Sequence, residues 1–171
     1  DLPTAGQFAL WSVPVAGPAG QADRLSRVPD AAFQDVEAFT IAPDSARVAF
    51  TGILTADFFA EVWSAPIAGP APTTPISPVP SAGAGGAFVT ADLPLTFSND
   101  SSRVLFAGDF QTPGTIQLLS NTSTGSQFAA DILNGTVTAG GNVVAYGLGP
   151  GTNRAVFRGD LLVDERIEIW S

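Results

Sequence analysis

The sequence predicts an all-β protein built from a repeated unit of about 50 residues, with four short strands in each unit. Three observations predict this: a gap-free internal repeat, turn-forming residues at the same place in every copy, and few windows with helical spacing. The copies are FTIAPDSARVAFTGILTADFFAEVWS at 39–64, LTFSNDSSRVLFAGDFQTPGTIQLLS at 95–120 and YGLGPGTNRAVFRGDLLVDERIEIWS at 146–171. Arg47, Arg103 and Arg154 share one position, as do Phe50, Phe106 and Phe157. Ser64, Ser120 and Ser171 close the copies, preceded by Trp63, Leu119 and Trp170. A partial copy opens the chain, because FALWSVPVAG at 8–17 matches AEVWSAPIAG at 60–69.

Each copy reads as an apolar run, a polar turn (APDSA, SNDSS or GPGTN) and a second apolar run. Asp, Asn, Ser, Pro and Gly are the residues a tight connection between strands needs. A third run rich in Val, Ile, Leu and Trp follows, then Gly- and Pro-rich sequence and a short fourth run such as ADRLS at 22–26 or PTTPIS at 72–77. Proline interrupts most helix candidates. Four short antiparallel strands per unit is the construction of a propeller blade. The expectation is one domain over 1–171, a β-propeller segment of about three blades, with units near 39–64, 95–120 and 146–171 and a partial unit at 8–26.

The stretch APDSARVAF followed by AEVWSAPIAG resembles the TolB-like, WD40-like propeller repeat, and 132–157 resembles a junction between two such blades. The resemblance covers nearly the whole chain and rests on recurrence in register. It implies a propeller and leaves the activity open, because such domains serve as binding proteins, assembly scaffolds and modules attached to enzymes. The acidic linker that many family repeats carry between their second and third strands is thinned here to Asp57, Asp109, Asp160 and Asp164, and Gly151 stands where the other turns have Asp44 and Asp100. Both departures weaken the transfer of an ion site.

The chain enters at a third strand, FALWS, and leaves at a third strand, IEIWS. An open arc of blades exposes apolar faces at about 25 cal/mol per Å² and leaves sheet edges free to pair. The expected function is that of a non-catalytic, self-assembling structural subunit, with other copies of the chain completing a ring or extending a filament through a head-to-tail contact. The alternatives are a propeller module that binds protein, peptide or glycan, a carboxylate-dependent hydrolase or lyase, and a fragment of a longer propeller chain.

Composition narrows the chemistry. The net charge is −9, from 16 acids and seven arginines, and there is no Lys, His, Cys or Met. An acidic chain repels phosphate backbones, so no nucleic-acid partner is expected. No apolar run approaches the roughly 18 residues that cross a bilayer, so no membrane insertion is expected. The chain begins with Asp1, as a processed mature chain or a piece of something longer would. Lack of cysteine is compatible with export, and the expected setting is extracellular or at the cell surface of a bacterium, alternatively the periplasm.

Without His, Cys or Lys, a Ser-His-Asp triad, a Cys-His pair, a Schiff-base lysine and His/Cys zinc sites are excluded. No catalytic residue is expected and the chain is not expected to be an enzyme. What remains is carboxylate chemistry, with candidates such as Asp57, Glu61, Asp160, Asp164 and Glu168, of which Glu61 and Glu168 share a repeat position, which points to structure. No cofactor is expected. Calcium, which takes oxygen ligands, is the one ion with candidate residues, Asp160, Asp164 and Glu165, set against the plainer reading of a solvated acidic loop.

Arg158-Gly159-Asp160 reads as an adhesion tripeptide placed between the second and third strands, where a loop is expected. The sequons at Asn99, Asn121 and Asn134 matter only in a glycosylating host, and the first coincides with a turn. Trp11, Trp63 and Trp170 share one phase, which favours packing between blades over a carbohydrate surface. The repeated arginines are expected to begin the second strands and pair with Asp44, Asp100 or backbone carbonyls. The run GAGG at 83–86 is expected to be a loop rather than a phosphate cradle.

Overall fold

A computed structural model describes residues 8–17, 20–27, 35–55, 59–69, 72–138, 140–162 and 166–171. Its regular elements are all strands, arranged in four antiparallel sheets, none of which closes on itself. β1 (Trp11–Ser12) pairs with β2 (Asp23–Arg24). β3 (Val36–Ile41), β4 (Arg47–Gly52), β5 (Glu61–Pro66) and β6 (Thr74–Pro75) form a four-stranded meander in chain order. In the third sheet, β7 (Gly86–Phe88) and β8 (Thr96–Phe97) both pair with β9 (Arg103–Asp109), followed by β10 (Gln117–Thr122) and β11 (Asp131–Ile132). The fourth sheet holds β12 (Val143–Leu148), β13 (Ala155–Gly159) and β14 (Glu168–Trp170).

The register repeats residue for residue. Phe50 lies opposite Trp63, Phe106 opposite Leu119 and Phe157 opposite Trp170. Trp63 and Ser64 face Pro75 and Thr74 as Leu119 and Ser120 face Ile132 and Asp131, and as Trp11 and Ser12 face Arg24 and Asp23. Proline is tolerated in β6 because that strand is the outermost of its sheet and needs no donor on its free side.

Eleven positions separate Pro75 from Gly86 and Ile132 from Val143. The longer repeat spacing before the second unit therefore arises within its first strand, which the excursion 89–95 splits into β7 and β8. The Tyr146 hydroxyl, buried in the next sheet, holds that excursion by reaching the carbonyl oxygens of Pro94 and, at 3.1 Å, Leu105. Burial also raises the Tyr146 phenol well above its ordinary pKa, so it stays a donor.

Three apolar clusters join the four sheets in chain order. Consecutive residues on one strand serve different clusters. On β4, Val48 and Phe50 pack toward β1–β2, and Ala49 packs toward the third sheet. On β9, Val104 and Phe106 face back while Leu105 and Ala107 face forward. Side chains alternate across a strand, so a sheet covered on both faces is apolar at successive positions and its sequence shows no alternation.

The second and third sheets also meet backbone to backbone. Ala60 bridges Gly86, and the Ala87 N–H donates to the Ala60 carbonyl at 2.8 Å. Gly86 has φ 84°, and a Cβ there would lie 2.3 Å from the Ala60 oxygen, so only glycine fits.

The hairpin turns repeat as well. The Ala42, Ser98 and Gly149 N–H groups donate to the Arg47, Arg103 and Arg154 carbonyls, each at 2.9 Å. Ser45 and Ser101 take the left-handed conformation, at φ 59° and 62°. In the third turn Gly151 takes it one residue earlier, at φ 68°, which is the structural consequence of glycine replacing the turn aspartate.

Candidate functional site

Of the carboxylates singled out by the sequence, Glu61 and Asp160 are engaged by the fold, and Glu168 Oε2 is buried with no hydrogen-bond partner among the described residues. The Asn142 N–H donates to Asp160 Oδ1 at 2.6 Å. At the equivalent position of the preceding sheet, Asp109 accepts from the Gly85 and Gly114 N–H groups. An aspartate at the end of the second strand thus ties down the residue that leads into the first, where a backbone donor lacks a ladder partner. Asp57, Asp164 and Glu165 lie outside the described residues, so the calcium set is represented here by Asp160 alone. Among the described residues no group of three or more His, Cys, Asp or Glu is placed to hold a metal ion.

Glu61 is buried and accepts from the Thr55 hydroxyl at 3.0 Å. Glu61 faces Gly52 and Glu168 faces Gly159, so both do occupy one place in the ladder. Gln117, facing Gly108, is the third member of that set, and the sequence reading passed over it.

Arg47 and Arg103 begin their second strands as expected, and both reach across the hairpin to the repeat serine rather than to the turn aspartate; Arg103 also donates to the Ser120 carbonyl at 3.2 Å, the backbone partner that is the other expectation. Arg47 Nε donates to Ser64 Oγ at 3.0 Å, and Arg103 Nε to Ser120 Oγ at 2.5 Å. Burial lowers the Arg47 pKa, and the nearby Asp44 charge opposes the shift. The aspartates instead close their own turns: Asp44 Oδ1 accepts from the Ala46 N–H at 2.9 Å, and Asp100 Oδ1 from the Ser102 N–H at 3.1 Å. Arg103 also pairs with Asp131, an exposed contact that contributes little.

The Arg158-Gly159-Asp160 run is not a loop. Arg158 and Gly159 are ladder residues of β13, paired with Glu168 and Ile169 on β14, and Asp160 is the backbone anchor just described. The sequon asparagines serve structure as well. Asn121 is fully buried and donates to the Ile76 and Ser126 carbonyls at 2.7 and 2.8 Å. Asn134 Oδ1 accepts from the Leu118 N–H at 2.7 Å, and Asn99 donates to the Gly149 and Thr152 carbonyls. Within 83–86, Gly86 is already strand, and Gly85 is held by Asp109.

The tryptophans share a phase but differ in surroundings. Trp63 is buried between the first two sheets, and Trp170 is half-buried against the last cluster. Trp11 lines an open cavity of about 600 Å³, with the Arg24 guanidinium 5.8 Å from its ring centre. Phe39, Ile41, Val13 and Ile67 complete its apolar wall.

That cavity lies between β1–β2 and the next sheet, where a partner only two strands wide leaves the face partly covered, and a second apolar face lies uncovered on the last sheet. Phe39 is 60% exposed, whereas Leu95 and Tyr146, at the same repeat position, are each 7% exposed. On the last sheet, Val156 and Ile169 are 46% and 77% exposed, whereas their counterparts Ala49 and Leu105, and Val62 and Leu118, are buried. The face of the last sheet is therefore a surface that inner units cover with a neighbouring sheet, and the face bearing Phe39 is one that the two-stranded β1–β2 sheet covers only in part.

No protein-family model matches the chain, and no curated protein sequence matches it. Among the described residues no helix is long and apolar enough to cross a membrane.

Proposed function

We propose that the chain is a segment of a β-propeller of the TolB-like, WD40-like kind, working without catalysis as a self-assembling structural subunit. The four-stranded meander, its repeated register and the face-to-face stacking support the propeller reading. The observation that carries the assembly reading is the contrast in exposure at equivalent positions: Val156 and Ile169 on the uncovered last sheet, and Phe39 where its neighbour β1–β2 is only two strands wide, are exposed, and their counterparts under a fuller neighbouring sheet are buried. One end of the stack is complementary to the other in the same sense that each inner sheet is complementary to the next. A second copy docked head to tail covers both, and repetition gives a ring or an open filament. The carboxylates Asp100, Asp109 and Asp160, engaged with turns and strand ends, support a non-catalytic role. The cysteine-free composition is compatible with the exported setting, outside the cell or in the periplasm, that belongs to this reading.

The test is the native mass in solution of the chain and of Ile169→Arg, with electron microscopy of the same samples. The wild type is expected at a multiple of the chain mass, with rings or filaments visible, and the variant as single chains of unchanged fold. A stable wild type at the mass of one chain, at concentrations well above micromolar, would sink the proposal. Further propeller units within a longer polypeptide are then the remaining way to cover the two faces.

A further inference from the structure

Each unit opens its third strand with a polar side chain opposite a glycine: Glu61 at Gly52, Gln117 at Gly108 and Glu168 at Gly159. In the first of these, the connection from the second strand supplies Thr55, whose hydroxyl satisfies Glu61. In the next, the residue at the position of Thr55 is Gln111, and Gln117 Oε1 is left buried with no hydrogen-bond partner among the described residues. Gln117 is 8% exposed, so water does not freely repair this loss. A buried polar atom kept without a partner marks a place where a partner can be supplied from outside.

The space beside it is suited to that. Gln117 lines a cavity of about 490 Å³ between the connection carrying Thr112 and Thr115 and the connection carrying Thr136 and Thr138. The wall is hydroxyl, amide and aliphatic, the last from Ile132 and Val137, with no ionisable side chain and no aromatic ring among the described residues. A charged group entering it would find no counter-charge, and a sugar would find no ring to stack on. Ile132 belongs to β11, the outermost strand of its sheet, where an extended chain can lie alongside.

We infer that this cavity binds a short uncharged peptide segment in extended conformation, with the Gln117 side-chain amide turning into the cavity so that Oε1 accepts from a backbone N–H. The side-chain amide carries an acceptor and a donor side by side, the complement of one peptide unit. The threonine hydroxyls serve neighbouring backbone groups, and the aliphatic wall takes small side chains. The site lies apart from the two end faces and does not depend on assembly.

The probe is the capped tetrapeptide acetyl-Ala-Ser-Ala-Ser-amide at millimolar concentration, with N-acetylglucosamine as comparison. It is added to the full chain and to Ile169→Arg, so that the assembly reading is tested separately. Binding is read by calorimetry and by amide hydrogen exchange. The expected result is protection at 110–118 and 131–138 in both proteins. Gln117→Leu and Gln111→Thr, the latter supplying the hydroxyl that Thr55 supplies in the first unit, are expected to weaken binding at least tenfold. Gln117→Leu is also expected to raise Tm without peptide, because carbon replaces an unpaired buried oxygen; a purely structural glutamine would instead lower it. Protection elsewhere or nowhere, undiminished binding by either variant, or protection by N-acetylglucosamine but not by the peptide would each overturn the inference.

Discussion

Leu118 and Ile169 stand at the same position of consecutive units, each on a third strand and each facing forward from its sheet. Leu118 is fully buried, whereas Ile169 is 77% exposed. Both residues are aliphatic and both strands pair in the same register, so the difference belongs entirely to the neighbour: Leu118 has the next sheet over it and Ile169 has none. Hydrophobic stabilisation follows the surface removed from water and not the apolar character of the residue, so one sequence pattern carries stability in the middle of the stack and stickiness at its end.

The largest effect that breaks this comparison comes from truncating both side chains. Leu118→Ala is expected to cost about 3 kcal/mol, the usual loss for a fully buried leucine with its cavity. Ile169→Ala is expected to change the stability of the single chain by no more than about 0.5 kcal/mol. Chemical denaturation at low protein concentration gives both numbers. Comparable losses would mean that the face of the last sheet is covered in solution even then, and repeating the measurement across a concentration series would show whether a second copy covers it.

A smaller effect sharpens the same contrast through the arginine position. Ser64 and Ser120 are buried acceptors for Arg47 and Arg103, whereas Ser171 and Arg154 are exposed. Ser64→Ala removes a hydrogen bond to a charged, part-buried group and is expected to cost about 1.5 kcal/mol. Ser171→Ala is expected to be silent. Thermal melts of the two variants decide it, and equal shifts would show that Arg154 makes the same cross-hairpin bond in solution.

Much of the all-β architecture was legible in the sequence because its signals are local or recur in register. The Phe–Trp ladder pairs, the turns after Ala42 and Ser98, and the short fourth strands at Asp23–Arg24 and Thr74–Pro75 all fall where the repeat puts them. What stayed hidden depends on the third dimension. The longer spacing before the second copy shows in the sequence as a bare number, and only the contacts of Tyr146 with the excursion at 89–95 reveal where the extra residues go. The second strand of the last unit extends through Gly159, so a tripeptide that looked like a loop became ladder. Asp44 and Asp100 close their own turns, and the arginines lie along the hairpin toward the repeat serine, a cross-strand contact that the linear spacing does not reveal. Gln117 could have been found as the uncharged member of the set with Glu61 and Glu168; that its partner is missing could not, because that depends on where the Gln111 side chain goes.

The smallest expected effect concerns the three turns, which touch one another along the stack. The Asp44 N–H donates to Ser101 Oγ at 3.0 Å, and Asn153 donates to Asp100 Oδ2 at 2.6 Å. Only the middle turn combines its own hydrogen bonds with a carboxylate contact from the next unit, since Gly151 removes the aspartate from the third. Hydrogen bonds from the Ser98 hydroxyl, then Ser102 and Asn153, hold Asp100 well below the ordinary carboxylate value of 3.8. A folded-state pKa below the unfolded one means that the unfolded chain takes up the proton first as the medium acidifies. The stability Asp100 contributes is therefore fully present above the unfolded value and is lost as pH falls from there through the folded one. Asp100→Asn retains an acceptor for the Ser102 N–H but has no proton to take up. Its Tm is expected to lie slightly below wild type at pH 6, and the gap is expected to narrow as pH falls from 4 to 2.5. The parallel variant Asp44→Asn, at a turn without a carboxylate contact from its neighbour, is the control. A gap between Asp100→Asn and wild type that stays constant down to pH 2.5 would show that the contacts around Asp100 do not favour its charged form, and that the middle turn is no different from the first.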